Sequence, residues 1–516
     1  MRRYRLKLIT VPWELEVPTL ALASLAAVTP APFDIAIVDL LREQLFFDEP
    51  TDLVGISAST PTISAAYALA DLYRARGVKV VMGGHHVTAM PEEALQHADA
   101  VVCGEGEVSW MRLCEDFLVE PSRVQGIYRD DAPDLSTLPP PRTDLMRMER
   151  YGAFYFPIIA SRGCPERCGF CFAKRMTRGY RTYPIAHVLE QIRRRPKWVR
   201  ALYFVDDNLP ADPDWSRELF TALAREGVPF GMQARYEFSR DPDALQLARK
   251  AGCALISSGY ESVNQSSLDR QGKSALASDY RAVIAQIFQA GIMPSGNWMF
   301  GFDQDTPDTF ARTLEFLDST DLLHNSFTTE IPFPGTAAFQ KYRAEGRLLT
   351  ERYEEYVGKD HVVVRPRQMT PEQLRDGVRW LAREYYSPRR AAKRAVKAFH
   401  NPKLHSFGPA LLKAPALFGL GAFQVWQWHY RMVPGLQRVY QQLLQVHRHR
   451  YVFDRLRPTN FRALPSPAPW SLPSGGGTFH GVQGFKPSRG KPLSPRPGPM
   501  QAPASLAAKA RTVTAH

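Results

Sequence analysis

Cysteine is scarce here, with six residues in a chain of 516, and that scarcity excludes a disulfide-stapled fold. Three of the six, Cys164, Cys168 and Cys171, fall within eight residues, which points to a metal and not to bridges. Acidic residues are nearly missing from the last quarter: from Ser387 onward there are 20 Lys and Arg against one acid, Asp454. The other 386 residues hold 45 basic and 51 acidic side chains. The formal charge of +13 therefore belongs to the C-terminal quarter, and a nucleic-acid-binding core is not supported. The N-terminus lacks a sustained apolar run. MRRYRLKLITVPWELEVP has basic residues but no small-residue cleavage site, so a first strand is expected there and not a signal peptide. A reducing cytosol is the expected setting.

What is present is globular: 44% apolar and 23% charged residues, in a length that implies two domains plus appendages. The first 130 or so residues alternate short apolar runs with helical patterns. Strands are expected at Arg5–Val11, Phe33–Asp39, Leu53–Ser57, Lys79–Met82 and Ala100–Cys103, and helices at Leu20–Val28, Ser64–Arg76 and Pro91–His97. That alternation implies a doubly wound parallel sheet, with ligands at the carboxyl ends of its strands. Asp131–Arg142, rich in proline, reads as a linker. A second series begins near Phe156. Its strands are expected at Leu202–Val205, Pro229–Ala234, Ala254–Ser257, Met293–Phe300 and Ser326–Ile331, with helices at Pro213–Glu226, Ala244–Ala251 and Asp279–Ala290. About six βα units make a partial barrel the economical reading. Thr370–Tyr386 opens with a Thr-x-x-Gln capping box. The expected organisation is α/β: a Rossmann-like domain over 1–145, a partial (β/α)6 barrel over 150–350, a helical extension over 351–460, and a disordered proline-rich tail over 461–516.

Thiolates are the usual ligands of iron–sulfur clusters. Cys164-Pro165-Glu166-Arg167-Cys168-Gly169-Phe170-Cys171 follows a predicted strand directly. Three such thiolates hold three irons of a four-iron cube and leave the fourth open. A zinc knuckle would need a fourth ligand, and the next histidine, His187, is 16 residues on. The motif CxxxCxxC with an aromatic residue before its last cysteine resembles the signature of radical S-adenosylmethionine (SAM) enzymes. The resemblance implies a [4Fe–4S] cluster whose open iron chelates SAM, and reductive cleavage of SAM to a 5′-deoxyadenosyl radical. It extends to Asp206-Asp207-Asn208 after the second barrel strand, to Gly259-Tyr260-Glu261-Ser262 after the fourth, and to Gly296–Thr306 and Pro332–Leu348. By resemblance, Phe170, Asp206, Asp207, Asn208, Glu261, Ser262 and Gly301 are SAM contacts.

The N-terminal domain resembles the cobalamin-binding domain that precedes this barrel in one class of the family. The likeness rests on Asp39, Ser57-Ala58-Ser59-Thr60, Gly83–Thr88 and Gly104-Glu105-Gly106-Glu107. It implies cobalamin contacts at Ser57, Thr60, Gly83, Gly84, His85, Val87, Gly104 and Glu105. The D-x-H-x-x-G motif that supplies a cobalt-ligating histidine is absent, so His85 and His86 read as loop residues. Cys103, Cys114 and Cys253 read as buried structural thiols, with Cys103 toward the expected cofactor cleft. Ala414–Trp428 is apolar but too short to span a bilayer. With Lys413, Arg431 and His447–Arg450 it reads either as an interfacial membrane segment or as a cap on the barrel. The implied function is cobalamin-dependent C-methylation of an unactivated carbon of a lipid-like, tetrapyrrole or secondary-metabolite substrate. The alternatives are oxidative cyclisation or other C–C bond formation without methyl transfer, and a cobalamin- or SAM-sensing protein without turnover. The expected partners are the substrate, an electron donor such as flavodoxin or ferredoxin, no nucleic acid, and a peripheral membrane surface. The catalytic residues and the substrate itself are not legible.

Overall fold

Two parallel sheets organise the chain in a computed structural model that describes residues 3–11, 19–40, 42, 43, 45–151 and 155–407. The first sheet comprises β1 (Tyr4–Val11), β2 (Phe33–Asp39), β3 (Leu53–Ala58), β4 (Lys79–Gly83), β5 (Ala100–Val102) and β6 (Gly126–Tyr128). Its order is β2-β1-β3-β4-β5-β6, with every neighbour parallel. Strand order reverses between β1 and β3, so their carboxyl ends flank a topological switch point, where open α/β sheets bind ligands. Helices on both faces bury β3 almost completely, which is why it reads as the continuous run LVGISA and not as an alternation. One of these helices, Glu107–Val119, was not anticipated from the sequence, although its buried Trp110, Leu113, Cys114 and Phe117 fall at helical spacing. The three-residue β6 was also unanticipated.

The second sheet begins with β7 (Phe156–Ile158). A two-residue antiparallel pair, β8 (Ser161–Arg162) and β9 (Arg181–Thr182), follows. The sheet then takes up β10 (Leu202–Phe204), β11 (Phe230–Gln233), β12 (Cys253–Glu261), β13 (Met293–Phe300) and β14 (His324–Thr329). The order β14-β13-β12-β11-β10-β7 is parallel throughout. The helices between the strands make it a (β/α)6 partial barrel. Phe204, Met232, Ile256 and Phe300 belong to one buried apolar cluster beneath it. Each unit brings the carboxyl end of a strand to the same rim.

Helix Pro371–Tyr385 starts as its sequence dictates. Gln373 N donates to Thr370 Oγ1 at 3.2 Å and Thr370 N donates to Gln373 Oε1 at 2.8 Å, closing the capping box. A second helix, Pro388–Phe399, follows it. Among the described residues no helix is long and apolar enough to cross a membrane. The stretch Ala414–Trp428, the basic run His447–Arg450 and the proline-rich tail lie outside the described residues.

Helix Pro371–Tyr385 packs closely on helix Asp308–Asp318 because Gly377 has no side chain. A Cβ there would fall 2.1 Å from Phe310 Cε2, and Phe310 is itself held against Phe300 at 5.3 Å between ring centroids. Gly377→Ala is expected to cost about 1–3 kcal/mol through overpacking, read as a lower denaturant midpoint. Adding Phe310→Leu should recover part of the loss. An unchanged midpoint in the single variant would show that the two helices do not pack this way.

Candidate functional site

The cysteine loop is closed at its base before it reaches the first thiol. Ser161 and Arg162 pair with Thr182 and Arg181, so residues 163–180 leave and return through one narrow neck. Gly163 makes the neck possible. Its φ is +80°, and a Cβ on it would fall 2.2 Å from Gly179 O, a position no L side chain tolerates. Farther out, Gly169 N donates to Gln271 O at 2.9 Å and Ala338 N donates to Gly169 O at 3.1 Å. The loop is thus held at its neck and again at its middle.

Cys164, Cys168 and Cys171 line one cavity of about 230 Å³ with Phe170 and Lys174 of the loop. The barrel rim completes it: Asp207 after β10, Gln233 and Arg235 at the end of β11, Ser257, Gly259 and Glu261 on β12, Asn297 on β13, and Lys273. Burial pushes all three thiols up, Cys171 to about 11. Lys273 and then Arg235 pull Cys168 back down. Three thiolates gathered here would need a compensating cation. Among the described residues no three His, Cys, Asp or Glu side chains gather closely enough to hold one metal ion. Three thiols around a shared cavity instead fit a cube with one thiolate per iron, and not a single tetrahedral zinc.

Glu261 enters the cavity through backbone strain. Its φ is +63°, uncommon for a residue with a side chain, and it follows a register shift between β12 and β13 at Gly259/Glu261. Lys273 Nζ lies 3.1 Å from its carboxylate. Gly259 leaves room for that carboxylate, since a Cβ there would meet Glu261 Oε1 at 2.2 Å.

The residues singled out in the sequence divide into two groups. Phe170, Asp207 and Glu261 line the cavity with the three cysteines. Asp206, Asn208, Ser262 and Gly301 do not. Asp206 is buried and accepts from Ala160 N at 3.0 Å, from Ser161 N, and from Ser161 Oγ at 2.6 Å. Burial pushes its carboxyl up to about 7 against the pull of those donors. It braces the strand that feeds the cysteine loop. Asn208 Oδ1 accepts from Arg235 N at 3.2 Å, Ser262 Oγ accepts from Asn264 N at 3.0 Å, and Gly301 N donates to Asp305 Oδ2 at 2.9 Å. Each shapes a turn beneath the rim. Sequence reasoning missed Arg235 and Lys273. Arg235 stands one residue past the strand end expected from the sequence, Ala234, a place worth inspecting in any such barrel. Lys273 belongs to no motif and arrives by a turn.

The carboxyl edge of the first sheet divides in the same way. Ser57 is in register with Gly83, and Gly84 (φ +103°) passes so close to β3 that a Cβ would fall 2.5 Å from Ala58 O. His85 is open to solvent but walled in. Its ring stands edge-on to Phe172 of the cysteine loop at 5.5 Å. His86 is fully buried between Thr60 Oγ1 at 3.3 Å and Glu93 at 3.2 Å. Thr60 and Val87 are buried with it. Cys103 is also buried, its thiol toward Val87 O at 3.9 Å, and so does not face an open cleft. Asp39 accepts from Tyr151 Oη at 2.6 Å. Gly104 N donates to Thr88 Oγ1 at 2.9 Å.

Glu105 faces the barrel. Arg162, one residue before Gly163, donates through Nη1 to Glu105 Oε2 at 3.0 Å and to Glu107 Oε2 at 3.0 Å, and through Nη2 to Glu107 Oε1 at 2.5 Å. Arg181 Nη2 reaches Glu105 as well. The Arg162 side chain is 9% exposed and the two glutamates 6%. Burial alone would lower Arg162, but Glu107 and Glu105 outweigh it and hold the guanidinium charged.

Known proteins share both halves. The family description "Radical SAM superfamily" matches residues 158–317 and "B12 binding domain" matches residues 6–113. Bacteriochlorophyllide d C-12(1)-methyltransferase of Chlorobaculum tepidum is 29% identical over 354 residues, 66% of this chain and 76% of that protein. Anaerobic magnesium-protoporphyrin IX monomethyl ester cyclase of Rubrivivax gelatinosus is 27% identical over 340 residues, 59% of this chain and 60% of that protein. The solved structure of the cobalamin-dependent S-adenosylmethionine radical enzyme OxsB shares the fold, with a TM-score of 0.63 and 14% identity, covering 88% of this chain and 83% of that one.

Removing one partner of a buried ion cluster leaves uncompensated charge. Arg162→Ala is therefore expected to cost about 3–5 kcal/mol in denaturant unfolding. Arg162→Lys, which keeps the charge but not the fork, should recover only part. Should Arg162→Ala unfold at the parent midpoint, the two sheets are not joined through this cluster.

Proposed function

The chain belongs to the radical SAM superfamily, with a B12-binding domain ahead of its barrel, and from that premise we propose that this enzyme is a cobalamin-dependent C-methyltransferase. The observation that carries the reading is one cavity holding three thiols, paired charges of both signs, and a neck tied by Arg162 to the carboxyl edge of the B12-binding sheet. In this reading Cys164, Cys168 and Cys171 hold three irons of a [4Fe–4S] cluster. Phe170 walls the cluster, Asp207 and Glu261 face the amino group of SAM, and Lys273 and Arg235 face its carboxylate. Asp206 acts from behind by fixing Ser161. Ser57, Gly83, Gly84, His85 and Gly104 border the cobalamin face, while Thr60, Val87 and Glu105 support it from below. When bound, the cluster supplies the electron for SAM cleavage and cobalamin supplies the methyl group. The chain's own residues orient these groups and exclude water.

The names of the relatives support the substrate class. One methylates a bacteriochlorophyllide and another cyclises a magnesium-protoporphyrin ester, so a large tetrapyrrole-like or lipid-like carbon skeleton is the substrate proposed here. The cyclase relative also keeps oxidative cyclisation as the second reading. A flavodoxin or ferredoxin is the proposed reductant.

Anaerobic reconstitution should load about four irons per chain and support SAM cleavage to 5′-deoxyadenosine. Replacing Cys164, Cys168 and Cys171 together with Ala should abolish both. Cluster absorbance retained in that variant would remove the assignment. With substrate-containing extract, mass spectrometry should show a gain of one methyl group, whereas loss of hydrogens would favour cyclisation. Bound cob(II)alamin should show no nitrogen superhyperfine splitting from an axial histidine, because His86 is enclosed and D-x-H-x-x-G is absent. A splitting that disappears in His85→Ala would overturn that expectation, and no cobalamin retained on gel filtration would count against the cofactor itself.

A further inference from the structure

The end of the barrel opposite the cysteine cavity carries exposed apolar side chains beside exposed cations. Turns that lead from helices into strands lie at this end. One of them, between helix Ile185–Arg193 and β10, carries Trp198, which is 51% exposed, between exposed Lys197 and Arg200. Helix Pro388–Phe399 and the residues after it run under the same end. Lys397 Nζ donates to Thr320 O at 3.3 Å, ahead of β14. Asn401 Nδ2 donates to Phe288 O at 2.6 Å, ahead of β13, and Arg249 Nη2 donates to Lys403 O at 2.8 Å, ahead of β12.

An amphipathic helix on a globular protein turns its apolar stripe to the core, and here only the small residues Ala391, Ala395 and Ala398 do so, flanked by cations that pack beside them. Arg390 pairs with Asp318 at 2.9 Å and Glu384 at 2.8 Å. The Arg394 guanidinium lies 3.8 Å from the Tyr385 ring centroid, and Lys397 pairs with Asp321. Ala392, Val396 and Phe399, spaced four and three residues apart, therefore turn outward. Val396 is 57% exposed and Phe399 69%, beside exposed Arg389 and Lys393.

We propose that this end of the barrel docks on an anionic lipid surface, with Trp198, Val396 and Phe399 entering the headgroup boundary and Lys197, Arg200, Arg389 and Lys393 meeting the phosphates. The combination selects the occupant. A second copy of this face would set Arg389 and Lys393 against themselves, because the nearby acids Asp318, Asp321 and Glu226 already pair with Arg390, Lys397 and Arg193. A nucleic acid would satisfy the cations but leave the apolar side chains in water. Anionic lipid satisfies both. The sequence beyond continues the pattern, with 13 Lys and Arg against one Asp over residues 388–457. Docked this way, the cysteine cavity faces away from the lipid and stays open to the aqueous side.

The test is flotation of the full chain with vesicles of phosphatidylglycerol and phosphatidylcholine in equal parts, against vesicles of phosphatidylcholine alone. Binding is expected only to the anionic vesicles, weakened but not abolished by high salt, since attraction screens over about 8 Å at physiological ionic strength while apolar insertion does not. The triple variant Trp198→Asp, Val396→Asp, Phe399→Asp should lose at least about tenfold in affinity while keeping the parent unfolding midpoint and SAM cleavage. Equal flotation of the triple variant would assign binding to another part of the chain and overturn the proposal. So would no flotation at low salt, equal binding to the neutral vesicles, or a dimer in sedimentation that the same substitutions dissolve.

Discussion

The guanidinium of Arg162 stands where two separately built sheets must agree on their positions. It donates to Glu105 and Glu107, which follow β5 of the first sheet, and it belongs to the strand that delivers the cysteine loop in the second. Taking three charges out of water is costly, and such clusters are weak evidence of net stability. Their strength lies in geometry. A planar fork satisfied by two carboxylates fixes distance and angle together, whereas an apolar contact would tolerate sliding. Arg181 repeats the contact from β9, the other side of the neck. Both strands of the neck are therefore indexed to the same glutamate at the carboxyl edge of the first sheet.

The same economy appears inside the barrel. Asp206 and Asp207 are neighbours in sequence but have opposite duties, one bonded to Ala160 and Ser161 and the other facing the cavity. Glu261 reaches the cavity only through a left-handed backbone and a slipped register, local strain of the sort that persists where the surroundings over-determine a position. Its partner Lys273 keeps the carboxylate in place. The cysteine loop is held by backbone hydrogen bonds at its middle and by Gly163 at its neck.

Much of this was legible in the sequence where local chemistry decides. Phe33–Asp39, Leu20–Val28, Met293–Phe300 and the Thr370 capping box lie where hydrophobic periodicity and cap residues put them. The three cysteines declared themselves by spacing. Helix Glu107–Val119 carried its signal too, in Trp110, Leu113, Cys114 and Phe117. Tertiary direction was not legible. Nothing in Asp206-Asp207-Asn208 says which carboxylate turns outward, because that depends on where Ser161 stands. Nothing in the sequence says that the Glu105 carboxylate is taken up by Arg162, 57 residues away. Lys273 is placed by a turn and not by a motif. Side-chain direction in loops is set by partners far along the chain, and a linear reading lacks those partners.

Side chains along an extended segment point alternately to opposite faces. In the turn after β10 that alternation separates a brace from a cavity acid by a single residue. Exchanging one of these side chains would remove one function and leave the other. Deleting one residue before them would place Asp207 under Ser161 and leave the rim to Asn208, whereas inserting one would turn Asp206 to the rim and leave Ser161 without its carboxylate. The distance from β10 to Asp207 is thus a constraint in its own right, less tolerant of a change in length than of a change in chemistry.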